Sequence, residues 1–113
     1  MNPRGEQAEM LAADFLVSRG LAVVARNYRC RGGEIDIIAQ DGETLVFVEV
    51  RLRRDASFGG AAASITGGKR QRLAIAARHY LGRLGREPFC RFDAVLFESL
   101  DHREPTWLRN IDM

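Results

Sequence analysis

Two apolar, β-branched segments, residues 34–39 and 45–52, lie on either side of a short polar stretch and constrain the fold more than any other feature. The polar stretch contains Asp41-Gly42, which is a strong signal for a two-residue hairpin turn. We therefore predict an antiparallel β-hairpin in which Gln40 pairs with Glu43. Its strands are apolar enough to be central in a sheet, so any charged side chain within them needs an explanation.

Two carboxylates, Asp36 and Glu49, are embedded in these apolar strands. In the predicted register Asp36 lies opposite Phe47, and Glu49 lies diagonally across on the same face. Arg51 points to that face as well. A register that differs by an even number of residues keeps this arrangement, whereas a slip of one residue sends Asp36 to the opposite face.

Burying these two carboxylates costs free energy unless a positive charge compensates them. One interpretation is that Arg51 or another arginine neutralises them in a buried ion pair, as occurs in native cores. The other interpretation is a hard divalent cation, Mg²⁺ or Mn²⁺, which binds one or two carboxylates together with water and substrate phosphate oxygens. A metal held in this way can activate water and stabilise charge in phosphodiester cleavage.

The rest of the chain alternates helical and extended patterns around the hairpin. One polar residue within these elements, Asp93, is expected to pair locally, for instance with Arg91 across a turn or with an arginine of a neighbouring strand. The patterns predict helices over residues 4–19 and 69–84, strands over 21–27, 89–97 and 106–111, a loop over 28–33, and a loop or short irregular helix over 57–68.

This order, α-β-β-β-α-β-β, predicts an α/β fold in which a mixed β-sheet is flanked by helices, with a helical crossover between the second hairpin strand and strand 89–97. The 113 residues, of which 46% are hydrophobic and 28% charged, fit one folded domain over residues 1–113. On the first helix, Glu9 lies at the edge of the apolar stripe and can reach over the rim of the core, whereas Glu6 falls almost opposite that stripe.

The net charge of +2 is too small to attract a polyanion by itself, so the distribution of charge matters more than its sum. Arginines cluster within residues 26–31 and 51–54 and along the second helix, which begins with the only lysine in the chain. Such clusters form either a solvated face or a surface that contacts phosphates. The second interpretation assigns nucleic-acid contacts to Arg29, Arg31, Arg53, Arg54 and Lys69.

No apolar run approaches the roughly 20 residues that a bilayer span needs, and residues 1–6 lack an apolar signal region. We therefore expect a cytoplasmic protein with no membrane partner. In that reducing compartment Cys30 and Cys90, which lack metal-ligand spacing, are expected to be inert. His79 and His102 also lack a partner at ligand spacing and are expected to be surface or hydrogen-bonded histidines.

The two hairpin strands contain motifs that are specific in combination, Gly33-Glu34-Ile35-Asp36-Ile37-Ile38-Ala39 and Val46-Phe47-Val48-Glu49-Val50-Arg51. This combination resembles the YraN family of small bacterial proteins, which are related to archaeal Holliday junction resolvases within the restriction-endonuclease-like superfamily. The resemblance extends over nearly the whole chain, from Glu9 in the first helix to Asp93 in the penultimate strand.

The resemblance implies a restriction-endonuclease-like core in which Asp36 and Glu49 bind Mg²⁺ or Mn²⁺ and Glu9 adds to the acidic cluster. It also implies a lysine two residues after the second carboxylate, which orients or activates the attacking water, and in this sequence that position is Arg51. Arginine keeps the charge and can clamp a phosphate, but its very high pKa makes it a poor proton carrier. Lys69 is a candidate substitute cation, with a solvated helix end as the alternative.

Three functional hypotheses follow from these residues. The first is a metal-dependent endonuclease that acts on DNA, including branched DNA, in DNA processing or repair. The second is a non-catalytic accessory protein that binds nucleic acid and in which Arg51 marks a degenerate site. The third is a structural or interaction protein whose carboxylates belong to a buried ion-pair network. A homodimer is the assembly expected for the first, because two-fold dimers are the commonest assembly and resolvases usually act as dimers.

Overall fold

Seven elements follow one another in the order that the sequence predicts. The computed structural model describes residues 3–52, 67–101 and 104–111. Within these residues the elements are α1 (Pro3–Ser18), β1 (Ala22–Cys30), β2 (Gly33–Asp41), β3 (Thr44–Leu52), α2 (Gly67–Leu84), β4 (Phe89–Phe97) and β5 (Thr106–Leu108).

The five strands form one sheet in the order β1-β2-β3-β4-β5. β3 and β4 are parallel, and the other neighbouring pairs are antiparallel. A parallel pair needs a long crossover connection, and the segment that contains α2 supplies it. The predicted α/β fold class, with a mixed sheet and two helices, is therefore confirmed, and it is consistent with a restriction-endonuclease-like core.

Both faces of the central strands are covered, because α1 packs on one face of the sheet and α2 packs on the other. This explains why β3 is apolar almost throughout rather than alternating between apolar and polar residues. The α1 face contributes Ile37, Ala39, Val46, Val48 and Val50 to the core, and the α2 face contributes Ile38, Leu45 and Phe47.

The hairpin turn lies one residue further along than the Asp-Gly signal predicts. Asp41 pairs with Thr44, so the two turn residues are Gly42 and Glu43. Gly42 has φ 60°, while Glu43 does not adopt a positive φ, which is the pattern of a type II′ turn with glycine first. The predicted pairing of Gln40 with Glu43 is therefore wrong, because the glycine occupies the first turn position instead of the second.

The change of turn shifts the register of the hairpin by two residues. Ile38 lies opposite Phe47, where Asp36 was predicted. Because a shift of two residues preserves the side-chain faces, Asp36 and Glu49 remain on the same face. The observed register brings these two residues level with each other, closer than the diagonal arrangement that the sequence predicts.

Three predicted boundaries also differ from the structure. β1 continues to Cys30 and turns into β2 through Gly32, so the predicted loop over residues 28–33 is wrong. β1 is an edge strand of the sheet and can carry solvated arginines while it remains extended, which the composition alone did not indicate. α2 begins at Gly67, and β5 ends at Leu108. Residues 57–66 of the predicted irregular segment lie outside the described residues.

A close approach between β2 and α2 depends on Gly33. A Cβ atom added to Gly33 would lie 2.5 Å from the carbonyl oxygen of Arg72 and 2.7 Å from the backbone nitrogen of Ala76. Both contacts are with helix backbone, which cannot move aside as a flexible side chain can. The glycine therefore sets how closely α2 packs against the strand that carries Asp36.

We expect Gly33→Ala to lower the free energy of unfolding by about 1–3 kcal/mol, because the added methyl group overpacks this contact. Gly82→Ala in α2 is the control, since a Cβ atom there meets nothing within 4 Å. The control should gain up to about 1 kcal/mol from helix propensity. Urea unfolding of both variants measures the difference, and equal stability of the two would contradict the proposed close approach.

Candidate active site

Asp36 lies where the hairpin ladder ends. The register pairs between β2 and β3 reach Ile37 and Val48, and beyond that point the Asp36 carboxylate accepts a hydrogen bond from the main-chain N–H of Val50 at 2.8 Å. A side-chain hydrogen bond also links Asp36 to Glu49. Two carboxyl groups from neighbouring strands therefore meet at this end of the hairpin.

The surroundings of the pair favour its protonated form. Burial raises the pKa of Glu49 to about 8, and the charge of Asp36 together with the hydrogen bond between the two acts in the same direction. Burial also raises the pKa of Asp36, against the lowering effect of the hydrogen bond from Val50. The two acids thus share at least one proton at neutral pH when no metal ion is bound between them.

Glu9 approaches the pair from α1. It is 5% exposed, whereas Glu6 on the same helix is exposed, as the helical spacing predicts. Among the described residues, Glu9 Oε1 is buried and accepts no hydrogen bond, and Arg26 Nη2 at 3.7 Å is beyond hydrogen-bond distance. Burial and the nearby charge of Asp36 both raise the pKa of Glu9.

Three cations face the carboxylates across a small cavity of about 30 Å³. Arg51 Nη1 lies 3.8 Å from Glu49 Oε1. Lys69, at the start of α2, is partly buried, and burial followed by the charge of Arg51 lowers its pKa. Arg72 also lines the cavity, and it was not among the site residues predicted from the sequence. Its position one helical turn after Lys69 was the signal that could have identified it.

These residues fit a hard divalent cation whose ligand set is completed from outside the protein. Among residues 3–52, 67–101 and 104–111, no group of three or more His, Cys, Asp and Glu side chains is arranged to hold a metal ion alone. Mg²⁺, however, is usually bound through one or two carboxylates, with water and substrate phosphates as its other ligands. The paired acids Asp36 and Glu49 match that type of site, and Glu9, which forms an ion pair with Arg26, adds negative charge near Asp36.

The residues predicted to contact nucleic acid are distributed unevenly. Arg29 is exposed on β1 and lies 3.7 Å from Glu34, and Arg31 is exposed in the turn between β1 and β2. Lys69 lies in the site cavity. Arg53 and Arg54 are outside the described residues. The structure therefore brings Lys69 to the carboxylates and leaves Arg29 and Arg31 on the surface.

The histidines and cysteines of the chain were predicted to lie outside the site. The ring nitrogen Nδ1 of His79 is hydrogen-bonded to the Tyr28 hydroxyl, whereas His102 lies outside the described residues. Cys30 and Cys90 are free thiols, half-buried and exposed respectively.

No helix in the described part of the chain has the length and apolar character needed to cross a bilayer.

Known proteins resemble this chain over most of its length. A family model described as "Uncharacterised protein family UPF0102" matches residues 8–97. The UPF0102 protein Nmul_A0195 of Nitrosospira multiformis is 55% identical over 107 residues, which cover 95% of this chain and 90% of that protein. A UPF0102 protein of Methylobacillus flagellatus is 52% identical over 110 residues, covering 97% and 96% of the two chains. The chain therefore belongs to the UPF0102 family, which is the YraN family that its hairpin motifs resemble.

Proposed function

We propose that this protein is a metal-dependent phosphodiesterase that acts on DNA, as an endonuclease in DNA processing or repair. The observation that carries the proposal is the meeting of two half-buried, hydrogen-bonded carboxyl groups, Asp36 and Glu49, opposite a group of cations. Acids whose pKa values are raised by burial and by a neighbouring charge, and which lie at a cavity, are typical of functional sites. A bound phosphate group would balance the positive charges of Arg51, Lys69 and Arg72.

Each residue has a definite part in this proposal. Asp36 and Glu49 would hold Mg²⁺ or Mn²⁺, and Glu9 would add negative charge on the α1 side. When bound, such a metal supplies a more acidic water and stabilises charge on a phosphoryl oxygen. Arg51 and Lys69 would neutralise the phosphate and hold it in place as a water oxygen bonds to phosphorus, the bond to the sugar oxygen breaks, and the proton released by the water ends on that departing oxygen.

The direct test is cleavage of branched and linear DNA in the presence of Mg²⁺ or Mn²⁺, compared with the same reaction in EDTA. We expect cleavage only with the metal, and we expect Asp36→Asn to remove it, because the amide cannot supply a negatively charged ligand. Equal cleavage by the wild type and Asp36→Asn would show that another site, or a contaminant, is responsible.

A second candidate function is a non-catalytic accessory protein that binds nucleic acid, and Arg51 is the specific observation that favours it. Arg51 contacts Glu49 at 3.8 Å, at the position where the family resemblance implies a lysine. An arginine at this position offers a planar set of hydrogen-bond donors that does not reproduce a lysine ammonium. Arg51→Lys separates the two functions: cleavage that appears only in this variant would identify the native chain as the accessory type.

A further inference from the structure

One flank of α2 carries a basic row, which consists of three cationic side chains and one histidine. The helix, Gly67–Leu84, contains no Asp or Glu. Lys69, Arg72, His79 and Arg83 follow one another at intervals of three, seven and four residues, which places them along the same side of the helix. The row runs nearly the full length of α2. It passes beside the contact between α2 and β2, where Gly33 lies against the backbone of Arg72 and Ala76.

The row connects two cavities. At its first end, Lys69 and Arg72 line the small cavity of the candidate active site. At its other end, Arg83 lines a larger cavity of about 250 Å³ together with Tyr28, Tyr80 and Leu84. Since a helix rises about 1.5 Å per residue, the 14 residues from Lys69 to Arg83 place the two ends of the row about 21 Å apart along the helix axis.

The second cavity has the chemistry of a stacking site. The rings of Tyr28 and Tyr80 pack edge to face, with centroids 5.2 Å apart, and both residues line the cavity. His79, a member of the basic row, is hydrogen-bonded to the Tyr28 hydroxyl and fixes that ring. Leu84 adds an apolar surface, and the exposed Arg83 adds a cation at the edge.

Nucleobases are the ligands that such a combination fits. Proteins that bind single-stranded nucleic acid combine a basic track for the phosphates with aromatic side chains on which bases stack, and Arg adds a cation–π contribution. A base can enter a cavity of this kind only when it is free of its stack and its pairing partner. A strand that reaches both ends of the row, about 21 Å apart along the helix axis, spans several nucleotides.

We propose that the basic row of α2 holds a single nucleic-acid strand and that the Tyr28–Tyr80 cavity receives one of its unpaired bases. The substrate class is then nucleic acid with an unpaired segment several nucleotides from the phosphate held at Asp36 and Glu49. The position of that phosphate rests on the proposed function, whereas the stacking site itself does not. The row and the cavity bind a strand whether or not the protein cleaves it.

The test is equilibrium binding in EDTA at one fixed salt concentration, with a fluorescein-labelled single strand of thymidines and a labelled duplex of the same length. We expect Arg83→Ala and Tyr28→Leu each to weaken binding of the single strand by about tenfold, as one base loses its stacking partners, and to change binding of the duplex by less than about twofold. Because Arg83 is exposed, Arg83→Ala decides the test even if Tyr28→Leu does not fold.

Arg78→Ala is the matched control, because Arg78 is also exposed on α2 and carries the same charge. At about 100° per residue, it lies about 140° around the helix from Arg83. The control should affect both ligands equally and weakly. Equal loss of single strand and duplex in Arg83→Ala, no loss of either, or displacement of the single strand by poly-glutamate would overturn the proposal. Because no metal is present, absence of cleavage by the wild type would leave this result unchanged.

Discussion

Glu49→Gln is expected to stabilise the protein at about pH 9 while lowering metal-dependent cleavage by about three orders of magnitude. The loss of cleavage follows because a metal ion contributes several kcal/mol of charge stabilisation, and each 1.36 kcal/mol is a factor of ten in rate. The gain in stability follows because the wild type must bury a second negative charge beside Asp36 at that pH, whereas glutamine is neutral. Opposite changes in stability and activity are typical of a functional site.

The pH dependence of stability follows from the raised pKa of Glu49. The ordinary value of 4.5 applies to the unfolded chain, and the folded value is about 8. Between these values the folded protein binds a proton that the unfolded chain has released, so the free energy of unfolding falls as pH rises from about 4.5 through about 8. Glutamine has no proton to lose, and the Glu49→Gln variant should lack this part of the decline, on the order of a few kcal/mol.

Urea unfolding at about pH 5 and pH 9 measures this difference, and thermal unfolding with Mn²⁺ adds a second measurement. A cation that binds only the folded state raises the melting temperature, so Mn²⁺ should stabilise the wild type more than Glu49→Gln. Glu34→Gln is the control, since Glu34 lines the same cavity with 52% of its side chain exposed and should change stability by less than about 0.5 kcal/mol. Destabilisation of Glu49→Gln at pH 9, with no effect of Mn²⁺, would indicate a structural ion pair with Arg51.

The hairpin shows which parts of the site follow from sequence pattern alone. The turn prediction was wrong by one residue, yet Asp36 and Glu49 were still placed on the same face, because side chains alternate with a period of two and the register error was also two. The direct meeting of the two carboxyls was not predictable, since it depends on the true turn. The hydrogen bond from Val50 to Asp36 was not predictable either, because it forms only beyond the end of the ladder.

Contacts between distant segments set the limit of prediction elsewhere in the chain. The composition of β1 indicated a loop after residue 27, and only its pairing with β2 extends the strand to Cys30. Helical spacing places Arg72 on the same side of α2 as Lys69, but the close packing of α2 on Gly33, which brings that side to the site, follows from no local pattern. Arg91 was correctly predicted as a partner of Asp93, but the pairing across a turn was wrong, because the two residues lie on the same side of β4, where Arg91 Nε donates to Asp93 at 3.0 Å.

Asp93 is the residue whose loss we expect to destabilise the fold most. Its hydrogen-bond partners include Trp107 and Asn110, near the C-terminal end of the chain. Asp93 is fully buried and receives hydrogen bonds from Arg91 Nε, from Trp107 Nε1 at 3.0 Å and from the main-chain N–H of Asn110 at 2.8 Å. Arg91 also donates to Asp41 at 2.9 Å. The single carboxylate thus joins β4 to β5 and to the residues that follow it.

Asp93→Ala is expected to lower the free energy of unfolding by about 3–5 kcal/mol, because it leaves Arg91 partly buried without its main partner and removes the acceptor for Trp107. Urea unfolding followed by the fluorescence of Trp107 measures the loss. Asp41→Ala is the matched control, since it removes the other carboxylate that pairs with Arg91 but from a site that is 31% exposed, and it should cost about 1 kcal/mol or less. If Asp93→Ala lost no more stability than this control, the buried carboxylate would not be what holds β5 to the sheet.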